Sequence, residues 1–180
     1  ELNQIIREFV QDVVVNNCKG DNTNWDLESY KNEILDVFAI DLNIKNGPEN
    51  NQELEKVTLE GINSVIKFKN ENHNDEMFSN FQKYVILRTI DEKWQDHLYS
   101  MDQLREGIGL RAYGQKNPLI EYKQEGYSMF EIMMEETNKE TLKRIFRTDL
   151  STIGQRSMDV KQRTKNLKTK SDVNILPKIA

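Results

Sequence analysis

From Phe78 to Phe146 two long amphipathic patterns flank one short polar break, and that arrangement restricts the chain more than any other feature does. Phe78, Phe81, Val85, Leu87, Ile90, Trp94, Leu98, Met101, Leu104 and Ile108 recur at 3- and 4-residue spacing, the period of one face of an α-helix. Some 30 residues of helix extend about 45 Å at 1.5 Å each. The break is Gly109-Leu110-Arg111-Ala112-Tyr113-Gly114-Gln115-Lys116-Asn117-Pro118. Asn117 is a natural N-cap and Pro118 a natural first helical residue, because proline lacks only an N–H that would be orphaned there anyway. The return pattern carries Tyr122, Met129, Phe130, Met133, Met134, Leu142, Ile145 and Phe146. Long helices with a short connection pack antiparallel, so this region reads as a helical hairpin with a basic and aromatic tip.

The rest of the chain is read in the same terms. Leu2, Ile5, Ile6, Phe9, Val10 and Val13 share one helix face, already under way at the first residue and ending near Gly20, whose missing Cβ suits a helix stop. The chain opens in mid-pattern, as a piece of something longer would. After a loop at Asp21-Asn22-Thr23-Asn24, a second helix starts near Trp25-Asp26, with Leu27, Tyr30, Ile34 and Phe38 on one face. Lys45-Asn46-Gly47-Pro48 is a breaker. Asn50 with Glu53 three residues on predicts a capping box for a third helix bearing Leu54, Val57, Ile62, Val65, Ile66 and Phe68. Asn70 to Asp75 is a polar break. The fold class expected is all-α.

Composition removes whole classes of function. Cys18 is the single cysteine, so no internal disulfide forms and a reduced setting is expected. With His73 and His97 as the two histidines, the chain lacks the usual ligands for zinc, and no metal or other cofactor is expected. No apolar run is long enough to cross a bilayer. Phosphate-cradling loops of the G-x-x-x-x-G-K-[ST] and G-x-G-x-x-G kinds are absent, as is G-x-S-x-G. The acidic pairs Asp91-Glu92 and Glu135-Glu136 sit on adjacent helix positions that point about 100° apart, so neither pair converges on a substrate. His97 has no apparent partner nucleophile. No residue is therefore assigned a catalytic role. The cluster Met129, Met133, Met134 reads either as core or as an adaptable contact surface. From Ser151 to Ala180, Arg156, Lys161, Arg163, Lys165, Lys168, Lys170 and Lys178 face only Asp159 and Asp172. This basic end on a chain of net charge −5 reads as a solvated linker, with anionic lipid or nucleic acid as the alternative contact.

The tip asks for more than a turn. Arg111, Tyr113, Gln115 and Lys116 are long polar or amphipathic side chains, and Gly109 and Gly114 flank them. A tyrosine combines an apolar ring with a hydroxyl and has little rotamer freedom to lose, which suits it to varied surfaces.

The same residues carry a family resemblance. Leu87-Arg88-Thr89-Ile90-Asp91-Glu92-Lys93-Trp94-Gln95-Asp96-His97-Leu98 is followed by Met101-Asp102-Gln103-Leu104-Arg105-Glu106-Gly107-Ile108. Then come Leu110-Arg111-Ala112-Tyr113-Gly114-Gln115-Lys116-Asn117-Pro118, Glu121-Tyr122-Lys123 and Ser128-Met129-Phe130. The order resembles the C-terminal region of the SecA family, the bacterial motors that drive preproteins through the SecY channel. Ile6-Arg7-Glu8, Trp25-Asp26-Leu27 and Asp41-Leu42 are similar to the upstream part of that region.

The resemblance implies the end of a scaffold helix over residues 1–18 and a helical wing over 19–75. It implies a two-helix finger with its continuation over 76–150 and a linker over 151–180. It makes Tyr113, with Arg111, Gln115 and Lys116, the contact to channel and substrate, and gives Trp94, Leu98, Met101, Gly107, Pro118 and Phe130 structural roles. Trp94→Ala would then cost about 3–5 kcal/mol if the indole is buried. Implied partners are the SecYEG channel, unfolded preprotein and the remaining SecA domains, with an anionic membrane surface as a further one and no nucleic acid. ATP and Mg²⁺ would bind to motor domains outside this chain, and the location would be cytoplasmic, peripheral at the inner face of the plasma membrane. The family's Cys- and His-rich zinc-binding end is missing, so docking to the chaperone SecB does not carry over. Without motor domains to cover them, Leu2, Ile5, Ile6 and Phe9 would drive self-association. The rival reading is a stand-alone helical adaptor.

Overall fold

The structure, a computed structural model, describes residues 2–20, 22–42, 44, 48–72, 75–109 and 117–150. It divides into two units, residues 1–147 and 148–180, and the architecture below is that of the first. Among the described residues the regular structure is all-α: α1 Leu2–Asn17, α2 Leu27–Phe38, α3 Asn51–Asn72, α4 Asp75–Gly107 and α5 Pro118–Arg147, with a 3-10 turn at Asn22–Asn24.

Several helix ends have a local cause. The first N–H groups of a helix lack intrahelical acceptors, and at α2 the Asp26 side chain accepts from Ser29 N–H at 3.0 Å. At its other end Ala39 turns left-handed at φ 56° and donates its N–H to Leu35 O. The capping box before α3 forms in a shifted version: Asn50 Oδ1 accepts from Glu53 N–H at 2.9 Å, and Glu53 Oε2 reaches back to Glu49 N–H at 2.7 Å. Gly20, at φ 76°, redirects the chain after α1. The segment expected as a plain loop contains the 3-10 turn because it is closed from both sides. Asp26 N–H bonds to Asn17 O at 2.9 Å, and the Trp25 indole N–H bonds to Gly20 O at 3.2 Å.

The core lies where α1, α2, α3 and the end of α5 meet. Ile6, Val10, Val13 and Val14 from α1 are buried with Tyr30, Ile34, Val37 and Phe38 from α2, Leu54 and Ile62 from α3, Phe78 from α4, and Leu142, Ile145 and Phe146 from α5. Phe38 joins two helices edge-on, to Phe9 at 5.7 Å and to Phe146 at 4.8 Å between ring centroids. The face expected to lack cover is largely closed: Ile6 is buried and Leu2, Ile5 and Phe9 are half-buried. On α3, by contrast, Val57 and Phe68 are exposed, and Thr58 takes the buried place beside Leu54 and Ile62.

Away from this core the chain thins to two helices. No described residue between 90 and 109, or between 117 and 136, is buried. A helix with one neighbour can cover only the side facing it, so a two-helix rod leaves apolar surface open that a bundle would close.

Candidate functional site

The rod formed by α4 and α5 carries the sequence motifs. Four cross-contacts fix its sense: Glu92 meets Arg144 and Lys93 meets Glu136, both at 2.7 Å. The His97 and Phe130 rings lie 6.0 Å apart, and Met101 overlies Gly126. Positions rising along α4 meet positions falling along α5, so the helices are antiparallel. With 33 and 30 residues, they extend about 50 and 45 Å.

At the core end the seam is polar as well as apolar. Thr89 and Thr141 are fully buried and Thr137 nearly so. A buried hydroxyl needs a partner, and Thr89 and Thr137 donate to carbonyls one turn back, Val85 O at 2.8 Å and Met133 O at 2.6 Å. Arg144 links the helices here, donating to Glu92 Oε2 and Glu140 Oε1 at 2.7 Å each and to Thr89 Oγ1 at 3.4 Å. The hydrogen bond from Arg144 holds the Glu92 carboxyl below the usual carboxylate range, and Arg88, 2.8 Å away on the same helix, adds to it.

Along the outer half, residues assigned to one apolar stripe separate onto two faces. Met101, Leu104 and Ile108 are half-buried. Leu87, Ile90, Trp94 and Leu98 stand out, at 65, 46, 45 and 49 % exposure. The condition of a buried Trp94 is therefore not met, and Leu98 and Phe130 are likewise surface rather than core residues. The His97 ring lies between Trp94, 5.6 Å away, and Phe130 at 6.0 Å. On α5, Phe130 and Met134 are exposed as well. A shallow groove of about 210 Å³ is lined by Lys93, Asp96, His97, Ser100, Met129, Ile132, Met133 and Glu136. Met129 and Met133 thus line a surface groove and Met134 is exposed, so the methionine cluster is surface rather than buried core.

The tip residues Arg111, Tyr113, Gln115 and Lys116 lie outside the described residues. Their flanks are described. Asn117 Oδ1 accepts from Leu119 N–H at 3.0 Å and Asn117 O from Glu121 N–H at 3.1 Å, with Pro118 as the first residue of α5. Asn117 and Pro118 therefore start α5 as their types predict. Gly107 is the last residue of α4, and a Cβ there would meet nothing within 4 Å.

Sequence reasoning missed Arg144 and the buried threonines, since an apolar-period reading skips polar types. It also missed Asp36, which receives Lys143 and Arg147 from α5. Their separation of 107 or more positions left no local signal. Among the described residues, no helix is long and apolar enough to cross a membrane.

Residues 1–149 match the family described as SecA wing and scaffold domain. Among curated proteins, the chain is 33 % identical over 176 residues to the protein translocase subunit SecA of Rickettsia africae (strain ESF-5), covering 93 % of the chain and 19 % of that protein. It is 41 % identical over 114 residues to that of Rickettsia akari (strain Hartford), covering 62 % of the chain and 13 % of the relative. For Syntrophobacter fumaroxidans (strain DSM 10017 / MPOB) the identity is 36 % over 126 residues, or 68 % of the chain and 15 % of the relative. The chain thus spans about a fifth, or less, of the length of these relatives.

Proposed function

The chain belongs to the SecA wing and scaffold family, and from that premise we propose that it is a non-catalytic, force-transmitting part of a preprotein-translocating ATPase. In this reading residues 1–18 end a scaffold helix, 19–75 form a wing, 76–150 form a two-helix finger with its continuation, and 151–180 form a basic linker. The finger's loop meets the SecYEG channel and the unfolded preprotein. ATP and Mg²⁺ bind to motor domains elsewhere in the protein, which works from the cytoplasmic side as a peripheral partner of the inner membrane surface. The remaining domains of the motor and anionic lipid are its other partners.

The observation that carries the reading is the antiparallel pair itself. Helices of 33 and 30 residues are held in register by Lys93–Glu136, His97–Phe130 and Met101–Gly126 contacts. Packed helices resist bending because interiors are close-packed and little compressible, so a displacement at the core end is delivered at the far end. There Tyr113 offers a ring and a hydroxyl to substrates of any sequence, which suits cargo that varies. The exposed row Leu87, Ile90, Trp94 and Leu98 supports membership of a larger assembly, since open apolar patches mark contact sites.

The test places a photocrosslinking amino acid at position 113 of the full-length protein, with SecYEG and a stalled preprotein present. Crosslinks to both channel and preprotein are expected. Tyr113→Ala should abolish most translocation while leaving helicity and melting temperature unchanged. Undiminished translocation, or no crosslink to either partner, overturns the assignment.

A further inference from the structure

We propose that Asp36, Lys143 and Arg147 are positioning residues for the α4–α5 pair, forming a cap supplied by one helix to the end of another that fixes the direction in which the pair leaves the core. The starting point is the C-terminal end of α2. The last carbonyls of a helix have no intrahelical donors, and the end carries the negative pole of the helix dipole. Cations belong there, yet α2 has no basic residue in its last turn, and it carries Asp36 there instead. Taken alone, this is the wrong charge in the wrong place.

α5 supplies what α2 lacks. Arg147 Nε donates to Asp36 O at 2.7 Å and Arg147 Nη2 to Leu35 O at 3.2 Å. Lys143 Nζ donates to both Asp36 carboxylate oxygens, at 2.8 and 3.0 Å. Leu35 O also accepts Ala39 N–H at 3.0 Å, so the last turn of α2 is held from its own chain and from α5. Lys143 and Arg147 lie one turn apart, and Arg147 is the last residue of α5. Arg147, in the last turn of α5, and Lys143, one turn earlier, therefore both serve the negative end of α2. Without them Asp36 O and Leu35 O lose these donors, and the Asp36 carboxylate adds negative charge to a helix end that is already negative. With them, every charge in the cluster has an opposite beside it. The Lys143 hydrogen bond also holds the Asp36 carboxyl below the usual carboxylate range.

The cap differs in kind from the packing beneath it. Phe38 and Phe146 meet edge-on at 4.8 Å, a contact that provides burial and tolerates some rotation. Hydrogen bonds to two backbone carbonyls from a planar guanidinium fix direction as well as distance. Direction matters because α5 is long. Over its ~45 Å, a rotation of about 5° at the base moves the far end by ~4 Å. The consequence for a translocating tip rests on the function proposed above, whereas the positioning itself does not.

The experiment measures positioning directly in the full chain. Spin labels go on cysteines at Asn32, exposed on α2, and Gln124, exposed near the start of α5, with the buried Cys18 replaced by alanine. Double electron–electron resonance should give one narrow distance distribution in this background. Position 124 lies ~35 Å along α5 from Arg147, so Asp36→Ala and Arg147→Gln should each shift or widen it by ~3 Å with helicity retained. The charge exchange Asp36→Lys with Lys143→Asp should narrow it again, an effect that loss of bulk stability would not produce. If a variant unfolds, Arg147→Lys, which keeps the charge and loses the two-pronged bond, gives the same reading. An unchanged distribution in the variants that fold overturns the proposal. A narrow distribution in a protein lacking Tyr113 crosslinks would instead count against the tip assignment alone.

Discussion

Met101 lies directly over Gly126: a Cβ at 126 would stand 3.1 Å from Met101 Cε and 3.4 Å from its Sδ. This contact between the outer halves of α4 and α5 pairs the absence of a side chain with the most adaptable one.

Gly126→Ala therefore sets two effects against each other. Alanine inside a helix is worth about 1 kcal/mol over glycine. Against this, the end of a methionine must move a few tenths of an ångström, which its free torsions permit at little cost. The expected result is a net gain on the order of 0.5 kcal/mol in urea denaturation. Gly126→Leu should lose stability, because its branched side chain pushes into α4. A loss of more than 1 kcal/mol for the alanine variant would mean that Met101 is pinned.

Burial reverses the order in which the aromatic residues matter. Phe78 is fully buried at the core end, so Phe78→Ala should cost about 3–5 kcal/mol. Trp94, at 45 % exposure, should lose roughly half of such a value, about 1.5–2.5 kcal/mol. Chemical denaturation of both variants measures this, and equal losses would place Trp94 in a covered position in solution. Trp94→Ala should meanwhile weaken whatever contact the exposed row makes.

The contrast between Phe78 and Trp94 shows where sequence reading stops. Helix positions, the Asn50–Glu53 and Asn117 caps and the restart at Pro118 are legible because each depends on residues within a turn of one another. The all-α class follows from the same local signals. Which apolar residues are covered depends on how many neighbours a helix has. Ile90 and Trp94 belong to the same 3- and 4-residue pattern as Phe78 and Phe81, but the former lie where α4 has only α5 beside it. Thr58, Thr89 and Thr137 escaped notice for the opposite reason. They are polar in type, yet each satisfies its hydroxyl on its own helix and packs as an apolar group. Lys143 and Asp36 are 107 positions apart, and only the fold makes their charges a pair.

Tyr30 and Thr58 share a buried hydrogen bond of 2.7 Å, and Thr58 Oγ1 lies 2.9 Å from Leu54 O as the donor to it. The threonine's one hydroxyl hydrogen is thereby used, so Tyr30 donates. Tyr30→Phe leaves an acceptor without a donor and should cost about 1–2 kcal/mol. Thr58→Val should cost more, since it strands the buried tyrosine donor. The double variant should recover much of that loss, a coupling that a double-mutant cycle measures directly. Additive losses would mean that the two hydroxyls do not meet in solution. Burial pushes the Tyr30 phenol up to about 12 from 10.0. Between those values the unfolded chain loses its proton first, so stability falls as pH rises, and Tyr30→Phe should remove that part of the alkaline loss.

The acid limb should report the charge pairs between helices. Asp36 and Glu92 have folded-state values below their ordinary 3.8 and 4.5, through hydrogen bonds from Lys143 and Arg144 respectively. A carboxylate lowered on folding adds stability above its unfolded value, and this contribution is lost as pH falls through the folded one. Glu92→Gln keeps an oxygen for Arg144 and removes the charge. The variant should therefore be less stable than the parent near pH 7, and the two should converge as the pH falls from 4.5 through the lowered folded-state value, below which neither carries charge at 92. Urea denaturation across that range measures the gap. Salt should narrow it at neutral pH, because Glu92 and Arg144 are both partly exposed. A gap that stays constant down to the lowest pH would assign the loss to changed packing at the amide, and the charge of Glu92 would then contribute nothing to holding α4 against α5.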